Sequence, residues 1–308
     1  MKNFWSQLNK PFYVLAPMAG ITDSAFRQIC KEYGADVVYS EMASVTALVY
    51  NPKPTLDMLA FSKKERPYVV QLFGSNPDHF AQAVKLITKK IKPDGIDINF
   101  GCPVKKVQKQ GAGAVLMNDL KLAHKIIETT IKNTNLPVSI KCRSKVGEID
   151  VLKFLDSVKD LDIKAVMIHG RTLSQGHSGP VDFTIIKKAR QLVEGVLIAN
   201  GGVKDSKTAQ EMLEKTSADG IGIGQGALGR PWIFKQLRIT NYELSKDEIK
   251  KVLMRHSKLV YKLKGEQGIV EMRKHLCWYV AGWPNASEIR RALIKVEMIK
   301  DVKKIFNF

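Results

Sequence analysis

The sequence predicts an α/β fold, a (β/α)8 TIM barrel, followed by a C-terminal all-α helical domain. Eight short apolar, β-branched runs alternate with amphipathic segments as far as about residue 240, the pattern of repeated βα units around a parallel sheet. Beyond that point the alternation stops and only helical stretches follow. The length of 308 residues, with 44% hydrophobic side chains, is enough to bury a barrel core. The division expected is a barrel over 1–240 and a helical domain over 241–308.

The eight runs are YVLAPMAG (13–20), ADVVYSE (35–41), PYVVQLFG (67–74), GIDINFG (95–101), PVSIKCR (137–143), AVMIHGR (165–171), VLIANGG (196–202) and GIGIGQG (220–226). Segments such as PDHFAQAVKLITKK and LKLAHKIIETTIKNT lie between them, with apolar residues at helical spacing. Nearly every run ends in small or polar residues: Pro17, Met18 and Ala19; Glu41; Gln71; Asn99 and Cys102; Lys141 and Arg143; His169 and Arg171; Asn200, Gly201 and Gly202; Gly224 and Gln225. In a barrel those carboxyl ends converge on one mouth, where barrel enzymes carry their chemistry. The stretch GCPVKKVQKQGAGAVLMND after the fourth run reads as a mobile, basic active-site loop.

The tail is expected to hold helices over 245–264, 267–281 and 285–304, with Pro284 before the last. Arg255, Arg273, Lys274, Arg290 and Arg291 fall near Trp278, Tyr279 and Trp283, a set able to grip phosphates and stack on bases. The same residues also suit a packed helical cap with core aromatics and solvated charges.

The net charge of +19 favours a polyanionic partner, although a lysine-rich genome raises charge in the same way. Residues 241–308 hold 15 basic and 8 acidic side chains, which makes the tail the more charge-dense part. No apolar run approaches a membrane span, and the first residues lack the apolar core of a signal peptide, so a cytoplasmic protein with no membrane contact is expected. The cysteines Cys30, Cys102, Cys142 and Cys277 have no CxxC or Cys/His ligand spacing; neither a disulfide framework nor a metal site is indicated.

Several stretches together resemble one family, the tRNA-dihydrouridine synthases of bacterial type, nearest to the B subgroup. They are LAPMAGITDSAFR, QLFGSNPDHFAQA, DINFGCPVKKVQKQGAGAVLM, IKCR, HGRT and GRPWIF, with MRKHLCWY and GWP in the tail. Their order and spacing carry the resemblance over essentially the whole chain. It implies FMN as prosthetic group, NADPH or NADH as reductant, and reduction of the C5=C6 bond of uridine in tRNA, with ribosomal RNA as the other substrate class. A monomer is expected.

Chemistry fits the residues to that reaction. Hydride arriving at C6 of uracil leaves enolate-like charge at C5 and O4, so an acid must stand at C5. A thiol, protonated at neutral pH yet able to protonate a carbanion, suits this, and Cys102, between Gly101 and Pro103, is the candidate. Cys30, Cys142 and Cys277 read as small buried hydrophobes. Lys141 ends the fifth run, where an unpaired ammonium is costly and needs an anion; the resemblance carries it to the N1/O2 edge of reduced flavin. Gln71 suits the flavin ring and Asn99 the uracil edge, either being equally a hydrogen-bonded core amide. His169 is assigned to the cofactor, and Arg143 and Arg171, with Asn99, to the substrate.

Loops after the seventh and eighth strands of barrels commonly hold phosphate through backbone N–H groups. Here they are Asn200, Gly201 and Gly202, and Gly224 and Gln225. Pro17, Met18 and Ala19 resemble the family segment that packs on the flavin ring. Most relatives carry Arg at the position of Gln225 and often Asp at that of Gly202, which shifts phosphate binding toward backbone dipoles, Lys or other Arg. His177 and Phe183 depart from the family's aromatics. Two other readings stand: an FMN barrel reducing a free pyrimidine, which has no use for a polyanion field, and an RNA chaperone on a degenerate barrel.

Overall fold

Each predicted apolar run forms a strand in the computed structural model, which describes residues 3–307. The strands are β1 (Phe12–Leu15), β2 (Val37–Tyr39), β3 (Tyr68–Phe73), β4 (Gly95–Phe100), β5 (Val138–Arg143), β6 (Ala165–His169), β7 (Val196–Asn200) and β8 (Gly220–Ile223). Consecutive strands pair in parallel, and β8 pairs back onto β1 with Phe12 opposite Gly220 and Val14 opposite Gly222. The result is a closed (β/α)8 barrel. Closure needs glycine at 220, where a Cβ would stand 2.5 Å from the Phe12 ring and 2.7 Å from its carbonyl oxygen.

Most strands stop before the runs read from sequence do. β1 ends before Pro17, which has no N–H for a ladder, and β7 ends where Gly201 and Gly202 turn to φ of 120° and 76°. The loop after β4 has a packed inner side, with Ala112, Ala114, Leu116 and Met117 buried, while Lys105, Lys106 and Lys109 face out.

Period-two alternation sorts the strand residues. Tyr13, Leu15, Val70, Leu72, Ile96, Ile98 and Ile140 pack outward against the helices. Phe12, Val14, Val37, Val69, Met167 and Ile198 fill the barrel interior, with Trp5 from the turn Phe4–Gln7 joining them. The helices include α1 (Ser24–Glu32), α2 (Val45–Tyr50), α3 (Pro52–Met58), α4 (Pro77–Lys90), α5 (Leu120–Lys132), α6 (Val151–Asp156), α7 (Phe183–Ala189), α8 (Ser206–Thr216) and α9 (Ile233–Gln236). Side chains of Asp23, Asn76, Asp119, Asp150, Asp182 and Asp205 accept from first-turn N–H groups of six of them.

The tail differs from its predicted outline. α10 (Lys246–Glu271) is broken at Gly265, with φ of 63°, in the gap expected between 264 and 267, whereas α11 (Arg273–Tyr279), following after Met272, divides the helix expected over 267–281. The single helix expected over 285–304 is two, α12 (Ala286–Leu293) and α13 (Ile299–Phe306). The apolar period runs through the break because Val296 is buried there. Ala25, Ile29 and Trp232 of the barrel side share a hydrophobic cluster with Leu253, Leu276, Leu293 and Phe306 of the tail. Tyr279 is buried and Trp283 meets Phe306 edge-on, so these aromatics serve as core. Gly229, after β8, lies so close to Trp278 that a Cβ would stand 2.4 Å from its carbonyl carbon and oxygen. Among the described residues no helix is long and apolar enough to cross a membrane.

Two buried histidines mark this junction. His256 Nδ1 lies 3.1 Å from Tyr279 Oη, and the His256 and His275 rings meet edge-on with Phe26 against both. Burial pushes His256 down to about 4, against the pull of Asp23, and holds His275 well below the usual range. The folded state thus keeps both rings neutral, whereas the unfolded chain takes up protons near 6.5. Stability from these rings is complete above about 6.5 and is lost as pH falls toward 4. We expect His256 alone to account for a loss of about 3 kcal/mol over that window, read as a flatter acid limb of the unfolding profile in His256→Gln. An unchanged limb would rule this out.

Candidate active site

Along each strand the interior turns from apolar to polar toward the carboxyl end. Continuing the inward series from Val69 gives Gln71; from Gly95, Asp97 and Asn99; from Ser139, Lys141 and Arg143; from Met167, His169; from Ile198, Asn200. Register brings these residues level, with Gln71 opposite Asp97, Asp97 opposite Ser139, Asn99 opposite Lys141, and His169 opposite both Arg143 and Asn200.

A buried hydrogen-bond chain crosses three strands and ends on the Cys102 loop. Ser139 Oγ donates to Asp97 Oδ1 at 2.7 Å, and Gln71 Nε2 donates to Asp97 Oδ2 at 2.8 Å. Asn99 Nδ2 donates to Gln71 Oε1 at 2.8 Å, and Asn99 Oδ1 accepts from the N–H groups of Gly101 (3.0 Å) and Cys102 (2.9 Å). Arg143 holds the loop from the other side: Nε donates to Gly101 O at 2.8 Å, and Nη1 to the carbonyls of Thr172 and Gly176 at 2.9 Å each. Arg143 is therefore a loop clamp as well as a mouth cation. Cys102 is only 9% exposed. Burial pushes its thiol up, against Arg143 and Lys141, so it stays protonated at neutral pH.

Lys141 forms neither a hydrogen bond nor an ion pair with the described residues. Burial and then the charge of Arg143 bring it down to about 8, while Asp97 pulls the other way. Burial likewise lifts Asp97 to about 6, opposed by its Gln71 and Ser139 hydrogen bonds. His169 is 8% exposed, its Nδ1 has no partner among the described residues, and burial together with Lys141, Arg143 and Arg171 pushes it down to about 2. This end of the barrel thus holds an uncompensated ammonium and an orphaned imidazole nitrogen. It fits a group with an anionic ring edge.

The glycine loops adjoin it. A Cβ at Gly201 would stand 3.2 Å from His169 Nε2, and one at Gly202 3.6 Å from Arg171 Nη2. Arg171, its Nε on Gly179 O, thus brings a guanidinium to the loop after β7. Gln225 is exposed in the turn Gln225–Ala227, and Gly224 lies against Met18 Sδ. Met18 N–H donates to Thr22 Oγ1, which holds Pro17, Met18 and Ala19 at the mouth. The Asn200 Nδ2 group is spent on Gly222 O at 2.6 Å.

Three groups escaped the sequence reading: Asp97, Ser139 and Met42, whose Sδ lies 3.8 Å from Asn99 Nδ2. Asp97 was legible in principle. It stands two residues before Asn99 on one strand and so on the same face. Ser139 carries no such signal, and Met42 reaches the site through a loop.

Solved structures share this architecture. Morphinone reductase, as the N189A mutant in complex with tetrahydroNAD, matches with a TM-score of 0.54 at 11% identity, over 76% of this chain and 88% of that one. The old yellow enzyme homologue from Zymomonas mobilis matches at 0.52 and 12% identity, over 71% and 86%. At such identities the likeness is one of fold. Fold and site together define a (β/α)8-barrel enzyme with its polar groups gathered at the carboxyl ends of the strands. The dihydrouridine synthase (Dus) family profile matches residues 14–307, and the chain belongs to that family of oxidoreductases. Relatives described as probable tRNA-dihydrouridine synthases are 33% identical in Aquifex aeolicus, over 94% of this chain and 93% of that protein, and 36% identical in Rickettsia bellii, over 91% and 89%.

Asn99→Ala removes the acceptor of both loop amides. We expect Cys102 to react about tenfold faster with a small alkylating reagent, the equivalent of one lost hydrogen bond, while Cys30 and Cys142 stay unreactive in peptide-resolved mass spectrometry. An unaltered Cys102 rate would show that Asn99 does not hold the loop.

Proposed function

We propose that this protein reduces the C5=C6 bond of uridine in folded tRNA. The observation that carries this reading is the pairing, at one barrel mouth, of a buried protonated thiol with an unpaired ammonium, on a chain of net charge +19. Bound FMN supplies the hydride that reaches C6, with NADPH or NADH as the ultimate reductant.

The residues of this chain do the rest. Cys102 gives its proton to C5, and Arg143 and Lys141 hold the thiolate left behind, the direction in which both already pull. Asn99 orients the acid by gripping its backbone, and Gln71, itself held by Asp97, keeps Asn99 in place. Lys141 takes the anionic edge of the reduced ring, with Gln71 and His169 beside it. Pro17, Met18 and Ala19 flank the ring, while the backbone of Gly201, Gly202 and Gly224, with Arg171, receives the phosphate; Asn200 and Gln225 border that end.

For the tail we propose an RNA-binding role over 241–308 beside a catalytic barrel over 1–240. Arg255 is paired with Glu32 at 2.7 Å, and Arg273 and Arg290 donate to backbone carbonyls. Lys274 and Arg291 have no such partner among the described residues and are the cations offered to phosphates. Lys274 Nζ would lie 3.3 Å from a Cβ at Gly20, at the mouth itself.

The test uses an unmodified tRNA transcript, NADPH or NADH, and mass spectrometry of digested RNA for dihydrouridine. Cys102→Ala should keep its flavin absorbance and RNA affinity but lose about a hundredfold or more in rate, and Lys141→Ala should lose flavin. Full turnover in Cys102→Ala sinks the proton-donor role. Equal activity on free uracil, or on ribosomal RNA alone, overturns the tRNA reading.

A further inference from the structure

Tyr279 and Trp283 of the tail are taken up by its own packing, whereas the barrel rim carries an aromatic with a free face. We propose that Tyr50 and His79 form a nucleobase-stacking site for the substrate RNA on the barrel rim, flanked by a phosphate-binding row of lysines; this rests on the RNA reading above.

Tyr50 ends α2 and is 75% exposed, the highest value among the exposed large hydrophobic side chains of the described residues. The ring is also held in place. The His79 ring meets it edge-on at a centroid distance of 5.5 Å and an interplanar angle of 89°. His79 is fixed in turn by Thr46, whose Oγ1 lies 3.2 Å from Nδ1. A restrained aromatic with a free face is a stacking platform, which loses little freedom on binding.

Its position fits the substrate path. α2 follows β2, and His79 sits in the first turn of α4, directly after β3, so the pair lies at the same end of the barrel as Cys102. Ser75 Oγ donates to Gln110 O at 2.7 Å and joins this rim to the loop after β4. That loop presents Lys105, Lys106 and Lys109, all exposed, and Lys53 stands three residues beyond Tyr50. None of the four makes an ion pair with the described residues, and the acids of the same stretches are Asp57 and Asp78. An aromatic face with a surplus of free cations matches a base and its neighbouring phosphates.

The tail meets the barrel at Gly20 after β1 and at Gly229 after β8, and the lysine loop follows β4. An RNA strand gripped at both sides would cross the opening between them and present the intervening nucleotide to Cys102.

Binding of an unmodified full-length tRNA transcript to the flavin-loaded full chain tests this directly. Tyr50→Ala should weaken binding about fivefold or more, and Tyr50→Phe by less than about twofold. The salt dependence of binding should be unchanged in Tyr50→Ala and shallower by about two to three units of slope in the Lys105→Gln, Lys106→Gln, Lys109→Gln triple variant. Flavin content should stay at the wild-type value in Tyr50→Ala. Wild-type affinity in Tyr50→Ala, or an equal loss in Tyr50→Phe, overturns the stacking site; an unaltered slope in the triple variant overturns the lysine row. A wild-type protein that binds the transcript yet forms no dihydrouridine refutes the proposed reaction instead, because binding is measured without turnover.

Discussion

The buried carboxylate of Asp97 is the group on which the mouth depends. A carboxylate inside a barrel is tolerable only when its oxygens are satisfied, and Ser139 and Gln71 satisfy one each. Gln71 is thereby oriented with its carbonyl toward Asn99, and Asn99 with its own toward the Gly101 and Cys102 amides. A neutral side chain at 97 would free Gln71 to flip, and the order of donors and acceptors along the chain would no longer be unique. Asp97 also opposes the desolvation of Lys141. One acid thus fixes the position of the thiol and also pulls the neighbouring cation toward its charged form.

A second buried acid supports the opposite side. Glu65 accepts from Arg27 and Ser24 at 2.6 Å each and from the Ser62 N–H at 2.7 Å, and Arg27 Nη1 donates to Thr22 O at 2.7 Å. Thr22 closes the turn that carries Met18. The Arg27–Glu65 pair is fully buried, so removing either partner would strand a charge at a cost of about 3–5 kcal/mol. Its structural effect is to fix the start of α1, and with it the Pro17–Ala19 segment and the surface on which the tail packs. The flank of the mouth and the docking of the helical domain are therefore one mechanical unit.

What could be read from the sequence follows from periodicity. β-branched runs with alternating faces located all eight strands, and their polar endings located the mouth, because a barrel leaves no other place for those ends. Lys141 was legible for the same reason: an ammonium at a strand terminus demands an anion. The breaks in the tail were not legible, since Val296 and Met272 continue the apolar pattern where the backbone leaves the helix. Nor was the clamp role of Arg143, which depends on carbonyls of loops distant in sequence. The flavin and uracil assignments came through resemblance, and the geometry adds to them an orphaned His169 nitrogen and the approach of Arg171 to Gly202.

The thiol imposes a condition on the substrate. Cys102 stays protonated because it is nearly excluded from water, and that exclusion also keeps out any base still stacked in its own helix. For the proposed reaction the target nucleotide has to leave its stack, at a cost of a few kcal/mol, and contacts outside the pocket have to offset this. Many of the tail's cations are already engaged: Arg255 with Glu32, Lys264 with Asp23 and Glu271, Arg273 with Val296. Among the cations without such partners in the described residues, Lys274 on one side of the mouth and the Lys105–Lys109 row on the other flank the opening. A strand held at two points across a cavity is strained toward unstacking at its middle, so the arrangement of free charge favours the same extruded nucleotide that a buried acid requires.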